Sequence, residues 1–193
     1  MNELSKVGVQ KDMDDTVTLD LSAQAHLANA DERLKQLIYE VLKQITKEQS
    51  KEEKHTGGIV VLGAFVKCNY NVPGLRQIRD NPIAGELLYV TEDNIKDKLR
   101  ELFKNDGAVI IDQSGQLLAA RVYLQVDHAD IKVDDECSTR HISAASFSNR
   151  DDIVASFTLS EQTGKVRVYV KGQQEDVFNP KQKRETTSVE RPK

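Results

Sequence analysis

The run GGIVVLGAFV, residues 57 to 66, constrains the fold more than any other stretch of this chain. It is apolar without alternation and reads as a buried strand. It falls far short of the roughly 20 apolar residues that span a bilayer. Gly58 and Gly63 have P-loop spacing, but Ala64 and Phe65 stand where that loop needs Lys and Ser or Thr. A Walker motif is excluded.

The elements around this strand alternate in type. Leu34, Leu37, Ile38, Val41, Leu42 and Ile45 follow helical spacing, and Asn29 with Glu32 forms a capping pair, which predicts a helix over 29–50. KEQSKEEKH is a solvated charge run, and NYNVPGLRQIRDNPIAGE is rich in loop formers. From Thr91, TEDNIKDKLRELFKN predicts a second amphipathic helix with Ile95, Leu99, Leu102 and Phe103 inward. In DGAVIIDQSGQLLAARVYLQVD two β-rich runs flank DQSG, a hairpin signal. A helix follows near 139–147, and the strands DIVASFTL and KVRVYV are joined by SEQTG. The alternation predicts an α/β fold, one domain over 29–172 with a central mixed β-sheet covered by helices. Residues 1–28 read as a flexible arm, and 173–193 as a charged, disordered tail.

Composition limits the partners. The 193 residues suit one domain, and a formal charge of −4 exerts no general pull on nucleic acid or anionic membrane. Any phosphate ligand needs a local cluster. Cys68 and Cys137 lack CxxC or zinc spacing and read as free thiols of a reducing compartment. The N-terminus is polar, without a leader. These features predict a cytoplasmic protein with no nucleic-acid and no membrane partner.

Three polar sites interrupt the ends of apolar elements. Asp106 lies between a helix end and a strand start, followed by Gly107 and Ala108, which permit close approach of a ligand. Alone it is an ordinary turn residue. Ser138 and Thr139 precede a helix whose first residues include Arg140 and His141. A hydroxyl, free N–H groups and an Arg at a helix N-terminus make a phosphate cradle, or simply an N-cap with a surface Arg. Ser160 and Glu161 stand at a hairpin apex, where a carboxylate facing a phosphate site can hold a divalent cation.

Together these sites resemble the diadenylate cyclase domain family, which includes the catalytic domain of the DNA-integrity scanning protein and related cyclic di-AMP synthases. The resemblance runs from about Leu34 to Gly172 and looks closest to the archaeal-type members. The DGA signature stands at Asp106, Gly107 and Ala108, the RH signature at Thr139, Arg140 and His141, and the SEETG-like turn at Ser160 to Gly164. The resemblance implies that two ATP condense into cyclic di-AMP and two pyrophosphates at two facing sites, with Mn2+ or Mg2+ and at least a face-to-face dimer. It implies Asp106 as catalytic residue and metal ligand, and Arg140 as both catalytic and phosphate-binding. Gly107, Ala108, Ser138, Thr139, His141 and Ser160 would bind nucleotide, Glu161 metal, and Tyr123 and Leu124 the adenine. Ser138, Ile142, Asn105 and Gln162 depart from bacterial members at a Gly, an Arg, a His and an acid. The rival reading is a degenerate module that binds ATP or cyclic di-AMP without catalysis.

Overall fold

The computed structural model describes residues 13–49, 56–65, 74–126, 131 and 138–181. Its elements, in chain order, are α1 (Met13–Gln49), β1 (Gly58–Gly63), β2 (Leu75–Gln77), α2 (Ile95–Leu102) and β3 (Ala108–Asp112), then β4 (Leu117–Leu124), α3 (Thr139–Ser148), β5 (Ile153–Leu159), β6 (Val166–Val170) and β7 (Gln173–Phe178). The strands form one sheet in the order β2-β4-β3-β1-β5-β6-β7. Among the described strands only β1 and β3 pair in parallel; β1–β5, β3–β4, β2–β4, β5–β6 and β6–β7 are antiparallel. The expected mixed sheet in a single α/β domain is what forms.

The unbroken apolar character of β1 has a direct cause. Val60 and Leu62 pack with Val109, Ile111, Phe157 and Leu159 beneath the apolar faces of α1 and α2. Ile59 and Val61 point the other way, into a second core with Ile110, Tyr169 and Ala144, Ala145 and Phe147 of α3. Successive strand residues face opposite sides, so a strand between two helical layers needs apolar residues at every position.

Several elements extend or contract relative to the sequence reading. Helix α1 begins at Met13, and Asn29 lies within it rather than at its cap. Residues 25–30 are exposed there, so they carry no apolar stripe; Ala25, Ala28 and Ala30 favour helix by propensity alone. Helix α2 starts at Ile95, because Thr91–Asn94 form a turn in which Ile95 N–H donates to Glu92 O at 3.1 Å and Tyr89 N–H to Glu92 Oε1 at 2.8 Å. Ile95, Leu99, Leu102 and Phe103 are buried as expected. Strand β7 occupies 173–178, within the stretch read as tail. It is an edge strand joined by backbone pairing, and five of its six side chains are exposed, so hydropathy does not betray it. Its turn, Lys171-Gly172, has φ of 49° and 75°, the left-handed pair that a two-residue hairpin requires. Cys68, Cys137, residues 1–12 and residues 182–193 lie outside the described residues.

The sheet is irregular between β3 and β4. There the register passes from Ala108↔Val122 to Ile110↔Ala119, which leaves one extra residue on β4. Arg121, at this bulge, has φ 59°. A left-handed non-glycine residue costs on the order of 1–3 kcal/mol and persists only where its surroundings fix it. Ile78 N–H donates to Arg121 O at 2.9 Å, and Gly107, at φ 108°, makes room. A Cβ at Gly107 would stand 2.7 Å from Arg121 Cα.

A chain ending at Gly172 tests whether β7 belongs to the cooperative unit. Half-buried Phe178 packs on the larger core. Its loss, with the uncovering of the β6 edge, should lower unfolding free energy by at least about 2 kcal/mol in urea titration. A truncated chain with an unchanged midpoint would leave β7 outside that unit.

Candidate functional site

The register of the central strands gathers the site. Gly58 pairs with Leu159, and Ile59 pairs with both Ala108 and Thr158. The start of β1, the start of β3 and the end of β5 therefore share one edge of the sheet. The residues just outside those ends are Thr56-Gly57, Asp106-Gly107 and Ser160-Glu161. In open α/β sheets ligands usually bind beyond the carboxyl ends of the parallel strands. Here the assembled edge is the amino end of β1 and β3.

Helix α3 completes it. Ser138 is the extended N-cap, and Thr139 and Arg140 open the first turn. Thr56, Gly57, Phe103, Asp106, Arg140 and Glu161 are among the residues lining a cavity of about 390 Å³. Arg140 and Glu161 also line a neighbouring cavity of about 590 Å³, with Thr139, Ser160, Lys165 and Arg167. The two open on either side of the Arg140–Glu161 wall. Among the described residues, none of Asp106, Arg140 and Glu161 forms an ion pair. Two carboxylates and a guanidinium thus face one space with their charges uncommitted.

Gly57 explains how closely they stand. A Cβ there would collide with Arg140 Nη1 and lie 2.9 Å from Glu161 Cβ and 3.1 Å from the Glu161 backbone N. Sequence reading missed Thr56 and Gly57 as site residues. The available signal was the glycine doublet ahead of a buried strand, which marks close approach of another group.

The expected site residues fall into three sets. Asp106, Gly107, Arg140 and Glu161 meet at one cavity, and Ser138, Thr139, His141 and Ser160 line the adjoining one. Ala108 is buried in the sheet beside them. Tyr123 and Leu124 line neither cavity. Tyr123 is 50% exposed with the Arg76 guanidinium 5.4 Å from its ring centre, and Leu124 is core.

His141 sits behind the helix N-terminus rather than in front of it. It is 5% exposed; its Nδ1 accepts from Ser138 N–H at 3.0 Å, and Nε2 lies 3.2 Å from Arg167 Nη1. Burial, then the charges of Arg167 and Arg140, push its pKa down to about 4. The ring is neutral at pH 7 and braces the cap against β6.

Helix α1 supports both loops of the site from below. Thr46, wholly buried, donates from Oγ1 to Gly164 O at 2.6 Å. Gln49 donates to Thr56 Oγ1 at 2.7 Å and accepts from Thr56 N–H at 3.0 Å. Within the turn, Ser160 Oγ accepts from Thr163 N–H at 3.3 Å. The end of α1 thus fixes the Glu161 turn and the Gly57 entry together.

Among the described residues there is no group of three or more His, Cys, Asp or Glu side chains placed to hold a metal ion. Two carboxylates on one cavity are nonetheless a donor set for a hard cation whose remaining ligands are waters and phosphate oxygens. No helix among the described residues is long and apolar enough to cross a membrane.

Comparison with known proteins gives consistent relatives. Residues 46–174 match the family described as DisA bacterial checkpoint controller nucleotide-binding. A diadenylate cyclase of Methanocaldococcus jannaschii is 30% identical over 74% of this chain and 45% of its own length. A diadenylate cyclase of Haloferax volcanii is 26% identical over 70% of this chain and 48% of its own. This chain therefore spans less than half the length of these relatives. A crystal structure described as a hypothetical membrane spanning protein from Bacillus cereus superposes with a TM-score of 0.50 at 20% identity, covering 72% of this chain and 60% of that one. That likeness concerns the fold.

The bracing contacts have two measurable consequences. Thr46→Val keeps the side-chain shape but leaves the buried Gly164 carbonyl unpaired, which should cost about 1–3 kcal/mol in urea unfolding. The His141 pKa, about 4 when folded against an ordinary 6.5, means that the unfolded chain binds a proton the folded chain refuses between those values. Its contribution is complete above about pH 6.5 and is lost as pH falls toward 4. Stability measured across that window should decline less steeply in His141→Gln than in the wild type.

Proposed function

The chain belongs to the family of that DisA-type nucleotide-binding domain, and from this premise we propose that it is a diadenylate cyclase, joining two ATP into cyclic di-AMP with release of two pyrophosphates. The observation that carries the reading is the convergence of Asp106, Arg140 and Glu161 on one cavity. A pure binding module has less need of the uncommitted Asp106 carboxylate beside the phosphate cradle than a nucleotidyl transfer, which must take up the proton of the attacking hydroxyl.

The triphosphate lies along the wall shared by the two cavities. The α3 N-terminus offers free N–H groups and the Thr139 hydroxyl, and Arg140 supplies the charged donor. Arg140 also balances the charge that develops as pyrophosphate departs. Asp106, beside Gly107, accepts the proton of the ribose 3′-hydroxyl; assistance of this kind accelerates reactions roughly 10²–10⁴-fold. Asp106 and Glu161 would hold Mn2+ or Mg2+, which supplies charge neutralisation of the triphosphate. Ser160 keeps the turn that carries Glu161, and His141 keeps the cap that carries Arg140. Tyr123 presents an exposed ring on β4, a surface on which adenine can stack.

Chemistry requires a second copy. The attacking 3′-oxygen bonds to the α-phosphorus of another ATP, the bond to the bridging oxygen of that pyrophosphate breaks, and the step occurs twice to close the ring. Each site holds one ATP, so two sites face each other in a homo-oligomer, at least a dimer.

Asp106→Asn keeps shape and removes proton acceptance and charge. ATP binding should persist by calorimetry, and cyclic di-AMP formation, read by chromatography with Mn2+ or Mg2+ present, should fall at least about 100-fold. Turnover within a few-fold of wild type would remove Asp106 from the chemistry. Arg140→Ala should weaken ATP by about 1.5–3 kcal/mol and adenosine hardly at all, because the lost contact is a charge-assisted one to phosphate. Equal weakening of both ligands would place Arg140 elsewhere.

A further inference from the structure

Lys104, Asn105 and Asp106 are shared between the Arg140 cavity and a third recess, of about 290 Å³, which Arg140 does not line. This recess is lined by Ile78, Arg79, Lys104, Asn105, Asp106 and Arg121. Three cations and one carboxylate surround it, in a chain whose formal charge is −4. Lys104 is paired with Glu101, while Arg79 and Arg121 form no ion pair among the described residues. A positive pocket of this kind, local and against the overall charge, selects an anion.

Arg121 is the residue the fold has gone furthest to place. It sits on the bulge of β4 at φ 59°, held by the Ile78 N–H bond and by the space that Gly107 leaves. Left-handed backbone at a β-bulge re-aims a side chain. Here Arg121 Nη2 donates to Asn105 Oδ1 at 2.9 Å, directly beside Asp106. Its Nε is buried without a hydrogen-bond partner, so the guanidinium keeps a donor that the protein does not satisfy. Gly107 thereby has two roles. It opens the approach to the cavity on one side and accepts the Arg121 backbone on the other.

We propose that this recess is an anion subsite for the phosphodiester phosphate formed between the two nucleotides, and that Arg121 is its positioning residue. The proposal rests on the cyclase reading. In that reading the nucleotide's own triphosphate occupies the Arg140 side, while the phosphate attacked by its 3′-oxygen must approach Asp106 from the facing site. The recess is the basic surface next to that carboxylate. It draws in the α-phosphate of the opposite nucleotide and retains the same phosphate in the product. Arg140 and Arg121 then divide the anions between them, one in each of two recesses that Asp106 lines.

The two arginines should separate two ligands. Arg121→Gly removes the guanidinium and suits φ 59°, so relief of backbone strain offsets the added chain entropy and the variant should keep the fold. In calorimetry on the full chain, it should bind α,β-methylene-ATP within two-fold of wild type and cyclic di-AMP at least ten-fold more weakly. Arg140→Ala should show the larger loss on the ATP analogue. Arg121→Lys, which keeps the charge, should recover part of the cyclic di-AMP affinity. Wild-type affinity for cyclic di-AMP should also fall more steeply with salt than that of Arg121→Gly. Cyclic di-AMP binding within two-fold of wild type in Arg121→Gly, or an equal loss of both ligands, overturns the subsite, as does a wild type that does not bind cyclic di-AMP. A wild type that makes no product from ATP, yet loses cyclic di-AMP when Arg121 is removed, rejects catalysis and keeps the recess.

Discussion

The pairing of β1 between β3 and β5 is the constraint on which the site depends. Because β1 runs parallel to β3 and antiparallel to β5, two strand beginnings and one strand end meet at the same edge. Gly57, Asp106 and Glu161 are widely separated in sequence and become neighbours through that register alone. A slip of one residue would turn every side chain of β1 to the opposite face. Apolar residues on both faces would tolerate the exchange less badly than in a half-exposed strand. The discrimination lies in size: Gly58 leaves room only for the Phe103 ring, and Gly63 meets the Asp152 carbonyl.

The site is fixed from the two layers that cover the sheet. On one face α1 delivers Thr46 and Gln49 to the backbone of the turn and of the entry loop. On the other, α3 delivers Arg140, and its buried His141 packs against Arg167 of β6. These contacts are buried or partly buried, and those of α1 reach backbone atoms of both loops, so they set where the loops lie rather than what they bind. The exposed carboxylates and the guanidinium at the centre are left uncommitted. That division suits a site in which the ligand supplies the missing charges, and it favours pre-organisation over closure around the substrate.

One of the two left-handed non-glycine residues, Arg121, stands at the same edge, and the other, Lys171, in the β6–β7 hairpin turn. Arg121 and Gly107 adopt left-handed backbone against each other, and each makes the other's geometry possible. The bulge that results turns a strand residue of the sheet toward Asp106. Glycine at 107 is therefore a requirement of β4 as much as of any ligand.

Much of the fold was readable in the chain. The apolar run of β1 specified a buried strand, the DQSG and SEQTG turns specified hairpins, and the spacing of Leu34 to Ile45 specified the packed part of α1. The DGA, TRH and SEQTG segments marked three candidate parts of the site by their combination and order, since each alone is an ordinary cap or turn. What patterning could not reveal were elements held by backbone or by propensity. Strand β7 exposes its side chains, and residues 25–30 of α1 carry no apolar stripe. Nor could it reveal Gly57, Thr46, Gln49 or Arg121. Each acquires its role from a partner more than a few residues away, through an atom that local sequence does not position. The sequence determined which residues could carry charge and which must be buried, because both are properties of single side chains. Only the tertiary structure decided which charges meet, because that depends on strand register and on the direction in which a bulge turns the backbone.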